Sequence, residues 1–454
     1  MKKQTISKSK ALLTAIGFMV GSGIFFRADN IIGVTGGNVV ISILAWLITA
    51  TTLIFAGVAI AGIASQENIE GGFVGYIGHY FSKWFGEKIG RTLEFIIGWY
   101  QIVVYAPILG GIVSIVFAGY FSQLFGINGS PIVIHGIAIG LLVAMFVWNK
   151  VSTKIAATIS ATSTSIKVIP LIVIAVAGII FGNPGELSAH VLPNIFEKEP
   201  TTLALLFAPM LSMAFAFDGW ISVGALSKDI EDPKKNLPFI FVWSVVITSV
   251  IYIAYFVGVN ALMSPADILK YGDSHVGMIA RNLFGDMGEK LVLTGVLISV
   301  LGTANAIFMA GTCYTHKLAC DAHLIGSDKL KQLSKTGTPF NASKFIFVGT
   351  LMYISLYALQ STGSVEALKG ITIDDIPMML NSAFYLLVFF ISFKLFVEKK
   401  VNKFQGLVAP IIAAIGQMFV IVAFFLSNDK AVLYIMISAV VIALGFLNKL
   451  KSSK

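Results

Sequence analysis

Charged residues are scarce in this chain. Only 12% of its 454 residues are Asp, Glu, Lys or Arg, whereas a soluble domain carries about 25% of them. Hydrophobic residues make up 56% of the chain, and its mean hydropathy is +0.86. A core shielded from water could not hold so much apolar surface, so the composition predicts a protein whose solvent is lipid.

Residues for metal, redox or nucleophilic chemistry are also few. The two cysteines, Cys313 and Cys320, are too few for a disulfide framework. The six histidines are scattered, and those near the cysteines fit no metal-binding spacing. The apolar segments hold no paired carboxylates, no nucleophile motif and no phosphate-binding loop. We therefore expect no enzyme, no metal and no cofactor, and a channel is disfavoured because no continuous polar stripe is present.

Twelve stretches are long and apolar enough to cross about 30 Å of hydrocarbon as helices. They are 11–33, 39–63, 93–121, 131–148, 154–182, 202–226, 238–262, 290–315, 342–361, 377–397, 405–427 and 431–449. Most connections between them are short, so the sequence predicts one membrane domain over residues 1–454. Its expected parts are five helices in 11–182, five in 202–397 and two in 405–449. Segment 71–90 is a candidate surface helix, and 263–289 is a long charged loop.

Lysine and arginine are distributed unevenly among these connections. If the N-terminus is cytoplasmic, about three quarters of the 32 Lys and Arg residues lie on the cytoplasmic side. Because positive residues concentrate on that side of membrane proteins, we expect both termini to be cytoplasmic. The net charge of +9 then reports topology, and no nucleic acid partner is expected.

Two charges fall inside predicted spans. Lys167 lies roughly 20 Å from either end of the fifth span, which is too deep for its amine to reach the interface. Asp218 is the one acid well inside the predicted hydrocarbon layer. A charge at that depth costs about 2.5–3.5 kcal/mol or more, so each residue is a candidate functional group. The alternative is a structural Lys–Asp pair buried between helices.

Two spans carry helix-breaking residues near their centres. The first holds Gly21-Ser22-Gly23, and the sixth holds FAFDGW at 215–220. Glycine lowers helix stability, and such a cluster favours local unwinding. These spans open the two five-helix halves, and interrupted helices at matching positions are typical of transporters built on inverted repeats. The alternative for the first glycines is close helix packing.

Unwinding at mid-membrane frees backbone groups that lipid cannot satisfy, so a polar ligand must satisfy them. The half-helix after the first break presents N–H groups and a positive dipole end, which suit a carboxylate. The break at 215–219 exposes carbonyl oxygens, which suit an ammonium group. A ligand that carries both groups close together is an α-amino acid.

These motifs resemble the amino acid–polyamine–organocation (APC) superfamily, and within it bacterial members of the L-amino acid transporter family such as serine/threonine exchangers. The resemblance covers nearly the whole chain. It rests on GSGIF at 21–25, GGFVGYIGHYFSKWFGEKIG at 71–90, GWYQIVVYAP at 98–107, FAFDGW at 215–220, KDIEDPKKNLP at 228–238 and VLISVLGTANAIFMAG at 296–311. It implies an all-α membrane fold of twelve helices, the 5+5 inverted-repeat (LeuT-like) fold plus two C-terminal helices, with helices 1 and 6 broken.

The resemblance also implies a binding site made largely of backbone groups. Ser22, Gly23 and Ile24 would donate N–H groups to the substrate carboxylate. The substrate ammonium would lie at the sixth-span break, with carbonyls of Met19, Phe215 and Asp218 as acceptors. The same substrate site would include Ala216 and Gly219.

Two further roles follow from the resemblance. Phe215 would be the aromatic gate, and Lys167 would occupy the place that a sodium ion takes in sodium-coupled relatives. A fixed cation opposes sodium binding, so we expect sodium independence. Asn305 and Asn381 could add side-chain contacts, although an interhelical hydrogen bond is the simpler reading of each.

The sequence thus predicts a sodium-independent exchanger of small neutral amino acids that works by alternating access. The alternative is a proton-coupled amino acid or polyamine transporter of the same fold, in which Asp218 or Lys167 titrates. The accessory subunits of animal relatives attach through a disulfide. Because no cysteine lies in a predicted outer loop, we expect no accessory subunit; the expected partners are the amino acid and the cell membrane.

Overall fold

A computed structural model describes residues 6–21, 23–67, 69, 71–151, 153–188, 202–334, 337–363 and 375–452. Its α-helices are α1 (Lys8–Met19), α2 (Gly23–Phe26), α3 (Ala28–Val34), α4 (Val39–Ala64), α5 (Gly72–Phe85), α6 (Glu87–Tyr100), α7 (Ala106–Phe125), α8 (Pro131–Val151), α9 (Thr153–Phe181), α10 (Thr202–Phe207), α11 (Met210–Ala216), α12 (Pro233–Leu262), α13 (Pro265–Tyr271), α14 (His275–Cys320), α15 (Ser327–Leu330), α16 (Phe340–Ser361), α17 (Ile376–Val397), α18 (Ala409–Ser427) and α19 (Ala431–Ser452). Short 3₁₀ helices lie at Pro184–Ser188, Ser222–Asp229 and Gly272–Ser274, and π-helical turns at Gln101–Tyr105 and Phe404–Val408.

Within the described ranges, nine helical segments are long and apolar enough to cross a membrane. They are Val39–Ala64, Glu87–Phe125, Pro131–Lys150, Pro233–Leu262, Pro265–Cys320, Phe340–Ser361, Ile376–Val397, Phe404–Ser427 and Ala431–Lys449. Each contains or largely overlaps one predicted span. The predicted spans 11–33, 154–182 and 202–226 are not among them, so the total of twelve stays a prediction.

Local sequence signals set several helix ends. Asn38 caps α4, because its side-chain oxygen accepts a hydrogen bond of 3.0 Å from the backbone N–H of Ile41. Gly126 ends α7 in the left-handed conformation, with φ of 62°. Pro131 and Pro233 are the first residues of α8 and α12, where a missing N–H leaves no acceptor unsatisfied.

The segment expected as a charged loop, 263–289, is largely helical. It contains α13 and the start of α14, with a kink at Gly285, where φ is 70°. Ser264 starts α13, since its hydroxyl accepts a hydrogen bond from the N–H of Asp267, and Pro265 follows in the first turn. The helical start signals outweigh the polar composition on which the loop prediction was based.

The described chain divides into two compact units. The first comprises Met1–Trp84, Thr164–Val296 and Met378–Asp429, and the second Phe85–Ser163, Leu297–Pro377 and Lys430–Lys454. The predicted five-helix repeats follow chain order rather than these units, and they stay a prediction.

Helices α4 and α12 form the centre of the first unit. A Cβ atom on Gly57 of α4 would lie 2.8 Å from the carbonyl oxygen of Phe241, so this approach requires glycine. The buried indole of Trp46 makes edge contacts with the rings of Phe217 and Tyr252. An aromatic core therefore lies directly behind the segment that follows α11.

Helices α7, α8 and α16 form the centre of the second unit. There the side-chain oxygen of Asn305, in α14, accepts hydrogen bonds from Trp148 Nε1 at 2.8 Å and Asn149 Nδ2 at 3.0 Å. Polar side chains join membrane helices in this way. Asn305 thus links α8 to α14, which is the structural role that the sequence offered as an alternative to substrate contact.

Candidate substrate site

The first predicted span changes conformation between Met19 and Gly23. Helix α1 ends at Met19, Val20 is extended with φ of −69° and ψ of 96°, and α2 begins at Gly23. The predicted carboxylate donor Ser22 lies outside the described residues. Gly23 and Ile24 open α2, and the first N–H groups of a helix lack an intrahelical acceptor.

A second change of conformation follows α11. This helix ends at Ala216, and residues 217–221 form turns that lead into the 3₁₀ helix Ser222–Asp229. Gly219 has a φ of 92°, which side-chain-bearing residues rarely adopt. The carbonyl of Phe215, a predicted ammonium acceptor, already receives a hydrogen bond of 3.2 Å from the N–H of Asp218.

We call residues 17–21 and 23–24 the first segment and residues 215–221 the second segment. Glycines let these two segments approach each other closely. A Cβ on Gly23 would lie 2.9 Å from the Cα of Ala216, and one on Gly219 would lie 2.7 Å from the carbonyl oxygen of Phe18. Real side chains do not tolerate such contacts with backbone, so both positions require glycine. The fold therefore brings the predicted carboxylate donors and the predicted ammonium acceptors together.

Tyr252 of α12 joins the two segments. Its hydroxyl lies 2.7 Å from the carbonyl oxygen of Met19 and 3.0 Å from that of Ala216, so its one hydrogen is shared between them. The Met19 carbonyl predicted for the ammonium thus already has a partner. Sequence reasoning missed Tyr252, because an aromatic residue in an apolar helix gives no signal that distinguishes it from a packing residue.

Lys167 lies against the first segment. Its side chain is 2% exposed, and its amine donates a hydrogen bond of 3.1 Å to the carbonyl of Gly17 in α1. The amine therefore contacts the last turn of α1, two residues before the helix ends.

Phe215, the predicted gate, is buried and lies at the start of the second segment. Its ring lies under the guanidinium of Arg27, with 4.7 Å between Cζ and the ring centroid. This geometry suits a cation–π contact. Asn30, on α3, accepts a hydrogen bond from Ser212 on α11, so two contacts join α11 to the chain that follows α2.

Asp218 and Asn381 line a cavity between α4, α11, α17 and α18, within the first unit. The ring of Trp220 also borders this cavity and meets Tyr385 edge to face at 5.3 Å between centroids. The backbone of Asp218 thus belongs to the second segment, and the residue also lies on the wall of this cavity. The sequence indicated the first property but not the second.

A charged cluster lies in the first unit at the connection between α4 and α5. Glu67 accepts hydrogen bonds from Lys83 at 3.0 Å and lies 2.9 Å from Nε2 of His79. The hydrogen bond from Lys83 holds the pKa of the Glu67 carboxyl below its usual range, and the charge and hydrogen bond of His79 add to this effect. The cluster ties the 65–71 connection to α5.

The chain resembles known proteins over most of its length. A family model described as "Amino acid permease" matches residues 6–447. The serine/threonine exchanger SteT of Bacillus subtilis (strain 168) is 25% identical over 425 residues, which cover 92% of this chain and 90% of that protein.

More distant relatives match a smaller part. The b(0,+)-type amino acid transporter 1 of Mus musculus is 22% identical over 321 residues, covering 69% of this chain and 62% of that protein. The large neutral amino acids transporter small subunit 2 of Homo sapiens is 23% identical over 363 residues, covering 78% and 64%. The crystal structure of MhsT in complex with L-phenylalanine superposes with a TM-score of 0.57 at 15% identity, covering 99% of this chain and 100% of that one, which shows a common fold.

Proposed function

Because the chain belongs to the amino acid permease family, we propose that it exchanges small neutral α-amino acids across the membrane without sodium, by alternating access. The chain is a multi-pass membrane transporter of amino acids and not an enzyme. The family gives neither the coupling nor the substrate, and the residues described above supply the arguments for both.

The backbone around the two conformational changes binds the amino acid in this proposal. The N–H groups of Ser22, Gly23 and Ile24 bind the carboxylate. Carbonyl oxygens at 215–219, together with that of Met19, bind the ammonium. The proposal is supported by the close approach of Gly23 to Ala216, because one small zwitterion can then reach both sets of groups.

Sodium independence rests on Lys167. Its amine already occupies a position against the Gly17 carbonyl, 3.1 Å away, and a second cation nearby would be repelled. This contact is the single observation that carries the proposal. In this proposal the Lys167 amine takes the place of a sodium ion, and reorientation of the carrier is then linked to the substrate alone.

The substrate class rests on the size and charge of the surroundings. Buried side chains near the two segments are mostly apolar, as at Ile24 and Phe215, and the half-buried Asp218 is the acid beside them. A small neutral side chain fits such surroundings. Phe215, held beneath Arg27, is the proposed gate over the bound amino acid.

Topology and partners form a separate part of the proposal. We place both termini in the cytoplasm, from the distribution of Lys and Arg, and we expect no accessory subunit. The name of the human relative, a small subunit, is the argument against the second point. Purification in a mild detergent followed by mass measurement tests it, since a bound subunit would add to the 48.7 kDa of the chain.

The deciding experiment is uptake of labelled serine or alanine into proteoliposomes. Vesicles contain either a millimolar amino acid or none, in sodium-free buffer, with and without an acid-outside pH gradient. We expect uptake only when amino acid is inside, and no stimulation by added sodium. Uptake into empty vesicles driven by the pH gradient would instead establish the proton-coupled alternative, for which Asp218 and Lys167 are the titratable candidates.

A further inference from the structure

A cavity in the first unit lies beside the proposed substrate site. Four elements line it: α4, the chain from α11 to Trp220, α17 and α18. Six of its lining residues are Thr, Ser, Asp, Asn or Gln: Thr49, Thr52, Asp218, Asn381, Ser382 and Gln417. Polar groups from four elements that face one space inside a membrane protein indicate a polar occupant, because lipid cannot satisfy them.

Gln417 is the residue that requires such an occupant. It lies near the middle of α18, at least about 12 Å from either end of the helix at about 1.5 Å per residue. Its side chain is 5% exposed. Across the described ranges its amide makes no hydrogen bond to the protein, and it borders the cavity. A group inside the cavity is therefore its available partner.

Close packing holds this amide at the cavity wall. Gly416 of α18 lies so near Thr52 of α4 that a Cβ atom would overlap the threonine side chain. The backbone at the adjacent Gln417 is therefore held against α4. The hydroxyls of Thr52 and Ser382 donate to the carbonyls of Thr49 and Met378 at 3.0 Å and 2.9 Å, so their hydrogens are already used.

The remaining groups define the chemistry of the occupant. The NH₂ group of Gln417 needs an acceptor, whereas the carboxyl oxygens of Asp218 accept hydrogen bonds. A hydroxyl group both accepts and donates, an ammonium group only donates, and a methyl group does neither. About 20 Å³ of the cavity is open to the centre of a water-sized group, and one such group needs roughly 10–15 Å³. A guanidinium is therefore too large.

We infer that this cavity is a subsite for one hydroxyl group, with Gln417 as its hydrogen-bond donor and Asp218 as its acceptor. The inference rests on the proposed function, which places the substrate ammonium at the backbone of Asp218. The side chain of a bound amino acid branches from the carbon that carries that ammonium, so the subsite places this side chain in the cavity that Asp218 lines. Gln417 is then a specificity-determining residue for serine and threonine over alanine and valine. A water molecule is the other source of the same hydroxyl chemistry.

The test compares threonine with valine, which differ by a hydroxyl in place of a methyl group. Exchange is measured in proteoliposomes loaded with serine, for wild type, Gln417→Leu and Met418→Leu. Met418 is the matched control, because it follows Gln417 and its side chain is 48% exposed. In wild type we expect Vmax/KM for threonine to exceed that for valine about tenfold, because one hydrogen bond to the hydroxyl contributes a factor of about that size. In Gln417→Leu the ratio falls to about one while valine exchange is kept, and Met418→Leu behaves as wild type.

The other outcomes are distinct. If Gln417→Leu lowers exchange of threonine and valine by the same factor, the hydroxyl is that of a water molecule. If the ratio is unchanged and both rates are kept, the subsite does not exist. Stabilisation of the purified protein against heating by threonine and by valine is a second readout that needs no transport. If threonine and valine stabilise the wild-type protein equally, the subsite is overturned. If threonine stabilises it more than valine but no amino acid is exchanged, only the proposed function is overturned.

Discussion

Replacing Gly219 by alanine tests whether the close approach of the two segments is needed for transport. The new Cβ would lie 2.7 Å from the carbonyl oxygen of Phe18, while ordinary contacts begin at 3.4 Å. The segments must therefore separate by about 0.7 Å. Displacements near 1 Å in a binding site cost on the order of 100-fold in rate, so we expect Vmax/KM for amino acid exchange to fall tenfold to roughly 100-fold.

The same substitution also strains the backbone, and a matched control separates the two effects. Gly219 has a φ of 92°, and Gly86, between α5 and α6, has a φ of 95° with no atom within 4 Å of its Cβ position. Each alanine costs about 1–3 kcal/mol of backbone strain. We expect both variants to lower the thermal midpoint of the purified protein, whereas Gly86→Ala keeps exchange close to wild type.

The assay is exchange in proteoliposomes that contain equal amounts of inserted protein, with the thermal midpoint measured on the same samples. Equal exchange by Gly219→Ala and Gly86→Ala would refute the reasoning, because the loss could then be ascribed to strain. Exchange by Gly219→Ala at the wild-type rate would show that the contact with Phe18 does not position the substrate groups.

Three further substitutions address the other contacts. Lys167→Ala should lower exchange at least tenfold while the amount of protein in the membrane, measured by immunoblot, stays the same; wild-type exchange would remove its role in place of sodium. Tyr252→Phe leaves two buried carbonyls without their donor, at about 1–3 kcal/mol, so KM measured by uptake should rise roughly tenfold, and an unchanged KM contradicts this. Because bonding to Lys83 and His79 lowers the pKa of Glu67 from 4.5, the bridge stabilises above that pH and is lost as pH falls through the lowered pKa. Glu67→Gln should therefore reduce the thermal midpoint slightly at pH 7, since half-exposed ion pairs contribute below about 1 kcal/mol, and a difference that did not shrink as the pH was lowered below 4.5 would contradict the assignment.

The helical membrane fold could be predicted because an apolar segment that is long enough to cross the bilayer must be helical to satisfy its backbone, and hydrophobicity alone identifies such segments. The motifs at 21–23 and 215–220 were visible because glycines cluster with polar residues near the centres of two apolar spans at matching positions. The family match confirmed that the chain is a transporter of amino acids, while the role of these motifs stays a prediction. The start of α13 was missed, because Ser264 and Pro265 carry the signal within a segment whose overall composition is that of a loop.

The side-chain partners of the two segments could not be predicted. Tyr252 and Gln417 stand in apolar helices, and no periodic pattern tells which face of α12 or α18 meets a carbonyl or a cavity. Only the packing of Gly57 on Phe241, and of Gly416 on Thr52, determines those faces. Contacts that depend on three helices at once have no counterpart in a linear pattern.

The start of the described chain has a consequence for how this protein is labelled. Ile6 pairs with Ile230 as a parallel bridge, and the N–H of Glu231 donates a hydrogen bond of 3.0 Å to the Ile6 carbonyl. The residues just before α1 are thus fastened to the connection between the sixth and seventh predicted spans. A fluorophore placed near Ile6 would report on movement of that connection. A bulky fusion at the same place would exert a force on the connection and hinder its movement.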